Sequence, residues 1–120
     1  MKIPATSELD DILEDKDIKL IYIAAPNEVH CNLAVKSMRA SKAVMCEKPM
    51  ALTFEDSRKM VEVQRETGTF FQIGFECRYS KLYQTCKDWI DEGKIGNVLS
   101  THFDYICSEF HGKNSWRSKS

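Results

Sequence analysis

The sequence predicts an α/β fold with a parallel sheet, followed by the start of an α+β segment. Short apolar runs alternate with amphipathic helical patterns as far as Phe75, and the connections between them are short. After Gly96 the apolar residues recur with period two instead. We therefore place a division between two architectures, with residues 1–77 on one side and 78–120 on the other.

The first part of the chain is predicted to form a helix, a strand and a second helix. A short helix is expected over 7–15, with Ser7 as its N-cap. The run 19–25 is apolar at successive positions, which is typical of a parallel strand covered on both faces. Pro26 ends this strand, and Asn27 is expected to cap a helix that runs to about Ala40.

Two further strands complete the predicted parallel sheet. The apolar run 43–46 is the second strand, and the apolar run 70–75 is the third. Thr53 opens the helix between them, with Asp56 three residues later as in a capping box, and Gly68 suits its C′ position. The order strand, helix, strand, helix, strand with short loops predicts right-handed crossovers.

The pattern changes beyond the third strand. Residues 80–92 are predicted to form an amphipathic helix that ends at Gly93. Residues 98–107 alternate between apolar and polar, which predicts a strand with one wet face.

The composition excludes several classes of protein. The 17 Lys+Arg and 18 Asp+Glu give a net charge of −1, so we expect no nucleic-acid partner and no anionic membrane surface. We expect no transmembrane segment and no signal peptide. The five cysteines are an odd number without a C-x-x-C pair, which argues against a disulfide framework and a zinc site. These features favour a cytoplasmic location and no metal centre.

Polar side chains follow the three predicted strands. Ligands of open parallel sheets bind beyond the carboxyl ends of the strands, where 26–30, 47–49 and 76–79 would converge. Lys48, beside a carboxylate, can act as an acid or polarise a carbonyl or hydroxyl group. Pro49 favours an extended backbone at Lys48 and so fixes the direction of its side chain.

Each of these residues also fits a purely structural role. The segment 47–49 is compatible with a solvated strand end and a turn proline. A histidine in a first helical turn, such as His30, is more typical of a surface or capping residue, and Arg78 is more typical of a surface ion pair. The cysteines fit small buried hydrophobes. A phosphoacceptor receiver domain fits poorly, because Asp10 and Asp11 precede the first strand instead of ending it.

Three segments occur in a fixed order, IYIAAPNEVH at 21–30, VMCEKPMALT at 44–53 and IGFECR at 73–78, with KIGNV at 94–98 in addition. In this order and spacing they resemble the Gfo/Idh/MocA family of NAD(P)-dependent oxidoreductases, which act on sugars, inositols and related polyols. The resemblance implies that 1–77 is the C-terminal half of a dinucleotide-binding Rossmann domain. It implies that 78–120 is a linking helix and the first strand of an α+β substrate and oligomerisation domain.

The resemblance also implies roles for individual residues. Lys48 would be the catalytic residue, in contact with the reacting hydroxyl or the nicotinamide ribose, and Pro49 would commonly be cis. The residues implied to line the site of NAD or NADP are Ala25, Pro26, Asn27, His30, Glu47, Lys48, Pro49, Arg78, Trp116 and Arg117. The implied substrate is a sugar or polyol, and the full-length protein is implied to be a homo-oligomer.

The chain departs from the family pattern in three ways. It has no G-x-G-x-x-G turn to bind the pyrophosphate, and the residue that distinguishes NAD from NADP is missing with that turn. The aspartate and histidine that usually exchange protons with the lysine would follow Ser120, and Glu76 stands where asparagine is common. We therefore expect a hydride-transferring oxidoreductase, or a non-catalytic relative that only binds a partner. We do not expect turnover from these 120 residues alone.

The first strand also carries a prediction about solubility. In a Rossmann sheet of order 3-2-1-4-5-6, the strand at 20–25 would pair with a strand that this sequence does not contain. An open, apolar strand edge favours association between chains. We therefore expect these residues in isolation to self-associate.

Overall fold

The computed structural model describes residues 4–104 and residue 106, and it divides into two compact units between Tyr79 and Ser80. The first unit contains α1 (Leu9–Glu14), β1 (Leu20–Ile23), a 3-10 turn (Asn27–Val29), α2 (His30–Arg39), β2 (Ala43–Cys46), α3 (Phe54–Thr67), β3 (Phe71–Ile73) and a second 3-10 turn (Glu76–Tyr79). The second unit contains α4 (Lys81–Asp91).

The three strands form one parallel sheet in the order β1-β2-β3, which confirms the predicted topology. Tyr22 lies opposite Met45, and Met45 lies opposite Gln72, so these three side chains share a face. Because the strands are parallel, their carboxyl ends lie at the same rim of the sheet. Within the described residues β1 pairs only with β2, so the self-association of the isolated chain stays a prediction.

One face of the sheet carries the core. Alternate strand residues, among them Ile23 and Val44, are buried against α2 and α3, which also pack against each other. On the opposite face the side chains of Leu20 and Tyr22 remain 53% and 52% exposed. The prediction of strands covered on both faces is therefore wrong for the described residues. The reason is the strand order, since two successive crossovers of the same hand place both helices on one side of the sheet.

The ends of α3 match the prediction. The Thr53 hydroxyl oxygen accepts a hydrogen bond from the Asp56 backbone N–H at 3.1 Å and donates to the Asp56 carboxylate at 2.9 Å. Gly68 closes the helix with a φ of 66°, a left-handed conformation that glycine adopts without steric cost.

The starts of α1 and α2 differ from the prediction. The N-cap of α1 is Glu8, not Ser7, and its side chain makes no capping hydrogen bond. Asn27 does not cap α2, because residues 27–29 first form a 3-10 turn and the N-cap position falls to Val29. His30 is thereby the first residue of α2, on the side that faces the sheet.

A buried lysine ties the start of the sheet together. Lys42 is only 7% exposed, and its Nζ donates to the backbone oxygens of Asp15 at 2.5 Å and Ile18 at 3.0 Å. These two bonds hold the connection between α1 and β1 against the start of β2. A lysine in the connection between a helix and a strand is expected to be exposed to solvent, so this contact was not predicted.

The second unit forms the predicted helix but not the predicted strand. α4 ends before Gly93, whose φ is 68°, and the Lys94 N–H donates to the Trp89 oxygen at 2.9 Å. The predicted strand 98–107 is not formed over 98–104, although the rings of Tyr83 and Phe103 lie 6.1 Å apart. A strand needs a ladder partner, and period-two alternation alone supplies none. Tyr105 and Cys107 lie outside the described residues.

Among residues 4–104 and 106, no helix combines the length and the apolarity needed to cross a bilayer.

Burial separates the cysteines into two classes. Cys31 and Cys46 are buried, as the sequence predicted, whereas Cys77 and Cys86 are exposed, contrary to it. Burial raises the pKa of the Cys46 thiol to about 11, and burial, followed by the interaction with the Asp56 carboxylate, raises the pKa of Cys31. Both effects keep these two thiols protonated at neutral pH.

We therefore expect selective alkylation of the native protein. Iodoacetamide at pH 8 should modify Cys77 and Cys86 and leave Cys31 and Cys46 unmodified, because the thiolate is the nucleophile and must be accessible. Peptide mass mapping after a quenched reaction measures this, with the urea-unfolded chain as the control in which all five cysteines react. Equal rates at Cys46 and Cys77 in the native protein would contradict the burial of Cys46.

Candidate functional site

The carboxyl ends of the three strands meet at one rim, as the sequence predicted. The Glu47 N–H donates to the Ile23 oxygen at 2.9 Å, and the Gly74 N–H donates to the Cys46 oxygen at 2.8 Å. The sheet hydrogen bonding thus continues one residue past β2 and β3. These bonds place the turn after β2 beside the ends of both neighbouring strands.

Lys48 lies on that turn between two clefts. It is exposed, and the Lys48–Pro49 peptide bond is cis, as the resemblance implied. The first cleft, of about 460 Å³, opens on the uncovered face of the sheet and is lined by Tyr22, Met45, Glu47, Lys48, Gln72, Gly74, Phe75, Glu76 and Tyr79. The second, of about 570 Å³, is lined by Lys48, Pro49, Phe75, Glu76, Cys77 and Arg78. Both volumes fall in the range of small-molecule sites.

The Glu47 carboxylate is bound through both of its oxygens. The Tyr22 hydroxyl donates to Oε1, and the backbone N–H of Lys48 donates to Oε2 at 3.2 Å. The hydrogen bond from Tyr22 and then that from Lys48 lower the pKa of Glu47, while the same contact with Glu47 raises the pKa of Tyr22. Glu47 is therefore a fixed anion beside the lysine at neutral pH.

His30 connects two of the converging turns. Its ring has no exposed surface, and its Nδ1 and Nε2 lie 2.9 Å from the backbone oxygens of Pro49 and Ala25, respectively. The expectation of a surface or capping residue is wrong, because the 3-10 turn before α2 directs the ring inward. The same burial places the ring beneath the rim, where it holds the Pro49 and Ala25 carbonyls instead of lining a cleft.

Arg78 lies in the second cleft near Lys48. Its guanidinium carbon is 5.7 Å from the centroid of the Phe75 ring, within the range of a cation–π contact. Arg78 therefore packs on an aromatic ring, and Lys48 and Arg78 line the same cleft. This cleft favours a ligand that carries negative charge or hydrogen-bond acceptors.

Some predicted site residues do not line these clefts. Ala25, Pro26 and Asn27 follow β1 at the same rim but line neither of them. Trp116 and Arg117 lie outside the described residues.

Side chains on the uncovered face of the sheet, among them Tyr22 and Gln72, were not predicted as site residues. Tyr22, Gln72 and Tyr79 line the first cleft, and the Gln72 amide donates to the Tyr79 hydroxyl at 2.8 Å. Tyr22 lies between Ile21, which is partly buried, and Ile23, which is buried. Because side chains alternate along a strand, this position indicated that the Tyr22 side chain lies on the other face.

The chemistry available at the rim is that of an amine next to a fixed carboxylate. Lys48 can donate or accept a proton or a hydrogen bond, and both clefts are open to it. Over the described ranges, no three His, Cys, Asp or Glu side chains gather as a metal site would require.

Comparisons with known proteins identify the family of this sequence. Residues 1–75 match the sequence profile of Gfo/Idh/MocA proteins, described as an oxidoreductase family with an NAD-binding Rossmann fold. Inositol 2-dehydrogenase of Salmonella typhimurium is 40% identical over 97 residues, which cover 80% of this chain and 29% of that protein. The chain thus spans less than a third of the length of this relative.

Two solved structures share the fold. Levoglucosan dehydrogenase in complex with NADH and levoglucosan superposes with a TM-score of 0.74 at 34% identity, over 78% of this chain and 25% of that one. Scyllo-inositol dehydrogenase from Lactobacillus casei with bound NAD(H) and scyllo-inositol superposes with a TM-score of 0.70 at 31% identity, over 75% of this chain and 27% of that one.

Proposed function

Because this chain belongs to the Gfo/Idh/MocA family of oxidoreductases, whose Rossmann fold binds NAD, we propose that the protein transfers a hydride between NAD(P) and a hydroxyl of a sugar, inositol or related polyol. The observation that carries the proposal is the place of Lys48, at the strand-end rim and between two clefts. Relatives named for inositol and levoglucosan support this substrate class.

Lys48 supplies the proton chemistry in this proposal. Oxidation of a secondary alcohol to a ketone removes a hydride from carbon and a proton from oxygen, and reduction returns both. NAD(P), when bound, would supply the acceptor or donor of the hydride. The Lys48 amine binds the hydroxyl oxygen and takes or gives its proton, while Glu47 holds the backbone N–H of Lys48.

The described residues fit the nicotinamide end of the cofactor. Ligands of this fold bind at the carboxyl ends of the strands, where both clefts lie. Lys48 and Arg78 line one of these clefts and supply donors for ribose or phosphate oxygens. The sequence contains no glycine-rich pyrophosphate turn, so its residues fit only this part of the dinucleotide.

The other predicted site residues take supporting positions in the proposal. Glu47, Pro49 and Arg78 line the clefts beside Lys48. Pro26 and Asn27, in the turn after β1, are proposed as cofactor contacts on the basis of the family resemblance alone. Ala25 and His30 act through the buried hydrogen bonds of the imidazole. Trp116 and Arg117 are kept as cofactor-lining residues on the basis of the family resemblance alone.

Two broader proposals accompany this function. We place the protein in the cytoplasm, where its unpaired cysteines, among them Cys31 and Cys46, would stay reduced. We also propose that the full-length protein is a homo-oligomer, as the family resemblance implies.

The function is tested with the protein expressed from its complete coding sequence. Absorbance at 340 nm is followed with NAD or NADP and a panel of inositols, sugars and anhydrosugars. Reduction of either cofactor by at least one polyol supports the proposal. Tight cofactor binding without turnover of any compound, or no cofactor binding at all, would instead favour the non-catalytic relative that only binds a partner.

A further inference from the structure

We propose that Tyr22 is a positioning residue for Lys48, because its hydroxyl fixes the carboxylate that binds the backbone of the lysine. The inference rests on the proposed function of Lys48. The family resemblance places the site around the lysine, in the turn after β2. The inference adds a residue of β1 to that site.

The contacts form a short chain from one strand to the next turn. Tyr22 is on β1, directly opposite Met45 of β2, and its side chain projects from the uncovered face of the sheet. Its hydroxyl donates to Oε1 of Glu47, two residues beyond Met45. The other carboxylate oxygen, Oε2, accepts from the Lys48 N–H at 3.2 Å. The Glu47 carboxylate thus connects the Tyr22 side chain, on β1, to the backbone of Lys48.

The electrostatics agree with this geometry. The hydrogen bond from Tyr22 is the main cause of the lowered pKa of Glu47, followed by the hydrogen bond from Lys48. The nearby charge of Lys48 and, more weakly, an interaction with His30 lower the pKa of Glu47 further. Glu47 and, more weakly, Glu76 raise the pKa of Tyr22. The pair is therefore a neutral phenol and a charged carboxylate at neutral pH, which is the combination that a charge-assisted hydrogen bond requires.

The phenol is suited to a positioning role by its place in the fold. The Tyr22 ring stands on a strand, so the direction of its hydroxyl is set by the sheet instead of by a loop. Without the hydroxyl, the Glu47 carboxylate would keep only its hydrogen bond from the Lys48 backbone N–H, and rotation about the Glu47 side-chain bonds would weaken that bond. Lys48 would then sample directions outside the productive one, which lowers the rate without removing the amine.

The test is Tyr22→Phe in the protein expressed from its complete coding sequence, with Tyr83→Phe as the matched control. The substitution keeps the ring and removes only the hydroxyl. Carbon-13 NMR titration measures the pKa of the Glu47 carboxyl, and steady-state kinetics measures the kcat of polyol oxidation. We expect the pKa of Glu47 to rise toward its ordinary value and kcat to fall about tenfold, the effect of one hydrogen bond. Tyr83→Phe should change neither quantity.

The outcomes separate this inference from the proposed function. An unchanged pKa of Glu47 in Tyr22→Phe would overturn the inference, and so would a raised pKa with an unchanged kcat. Full turnover in a Lys48 variant would overturn the proposed function and, with it, the positioning role. The titration of Glu47 would still show, in that case, whether the hydrogen bond from Tyr22 exists.

Discussion

Replacement of Lys48 by methionine is expected to lower kcat for polyol oxidation about 10²- to 10⁴-fold, the usual contribution of a positioned acid or base. Methionine keeps much of the length and the apolar stem of lysine but offers no proton and no hydrogen-bond donor. Because the side chain is exposed at the rim, the fold should be unaffected. The affinity for NAD(P) should fall only modestly, since one contact of many is lost.

Steady-state kinetics and cofactor titration by fluorescence measure these two effects separately. Lys36→Met is the matched control, because Lys36 is an exposed lysine on α2 that lines neither cleft. We expect wild-type kcat from this control. A Lys48→Met protein with wild-type kcat would remove Lys48 from the mechanism.

Replacement of His30 by alanine is expected to destabilise the protein by about 2–4 kcal/mol. The estimate combines the cavity left by a fully buried ring with the loss of its hydrogen bond to one of the two backbone carbonyls that lie 2.9 Å from its nitrogens. The turnover should fall as well, because the Pro49 carbonyl, next to Lys48, loses its partner. Urea denaturation followed by circular dichroism measures the stability.

His102→Ala is the control for His30→Ala. The His102 side chain is exposed and pairs with the exposed carboxylate of Asp104, so its loss should change stability by less than about 0.5 kcal/mol. His30→Asn keeps one donor near the carbonyls and should lie between wild type and His30→Ala. Equal urea midpoints for His30→Ala and His102→Ala would show that the buried ring does not tie the turns together.

The sheet and the location of the lysine were predictable from the sequence because both depend on local patterns. Apolar runs at 19–25, 43–46 and 70–75, separated by helical periodicity, leave few alternatives to a parallel sheet in this order. In such a sheet the segment after the second strand must lie at the rim. The cap residues Thr53 and Gly68 were predictable for the same reason, since each acts within a few residues of its own position.

Contacts between distant segments were not predictable. The partners of His30 are the carbonyls of Ala25 and Pro49, and the partners of Lys42 are the carbonyls of Asp15 and Ile18. Every residue has a backbone carbonyl, so no sequence pattern indicates which carbonyl accepts such a bond. Their formation depends on the three-dimensional placement of turns, which periodicity does not encode.

The number of sheet faces covered by helices could not be predicted from the sequence either. Apolar residues on both faces of β1 indicated burial on both sides, but the two crossover helices cover only one. A strand pattern at 98–107 did not produce a strand over 98–104. In both cases the pattern describes the environment that a segment requires, and the described residues do not provide that environment.

The direct test of the central claim is a crystal structure of the protein, expressed from its complete coding sequence, with NADH and a polyol that it oxidises. Our account predicts that Nζ of Lys48 lies about 2.6–3.2 Å from the substrate hydroxyl nearest the nicotinamide, the distance that proton transfer requires. A complex in which the nicotinamide binds away from both clefts, or in which a different residue contacts that hydroxyl, would contradict it.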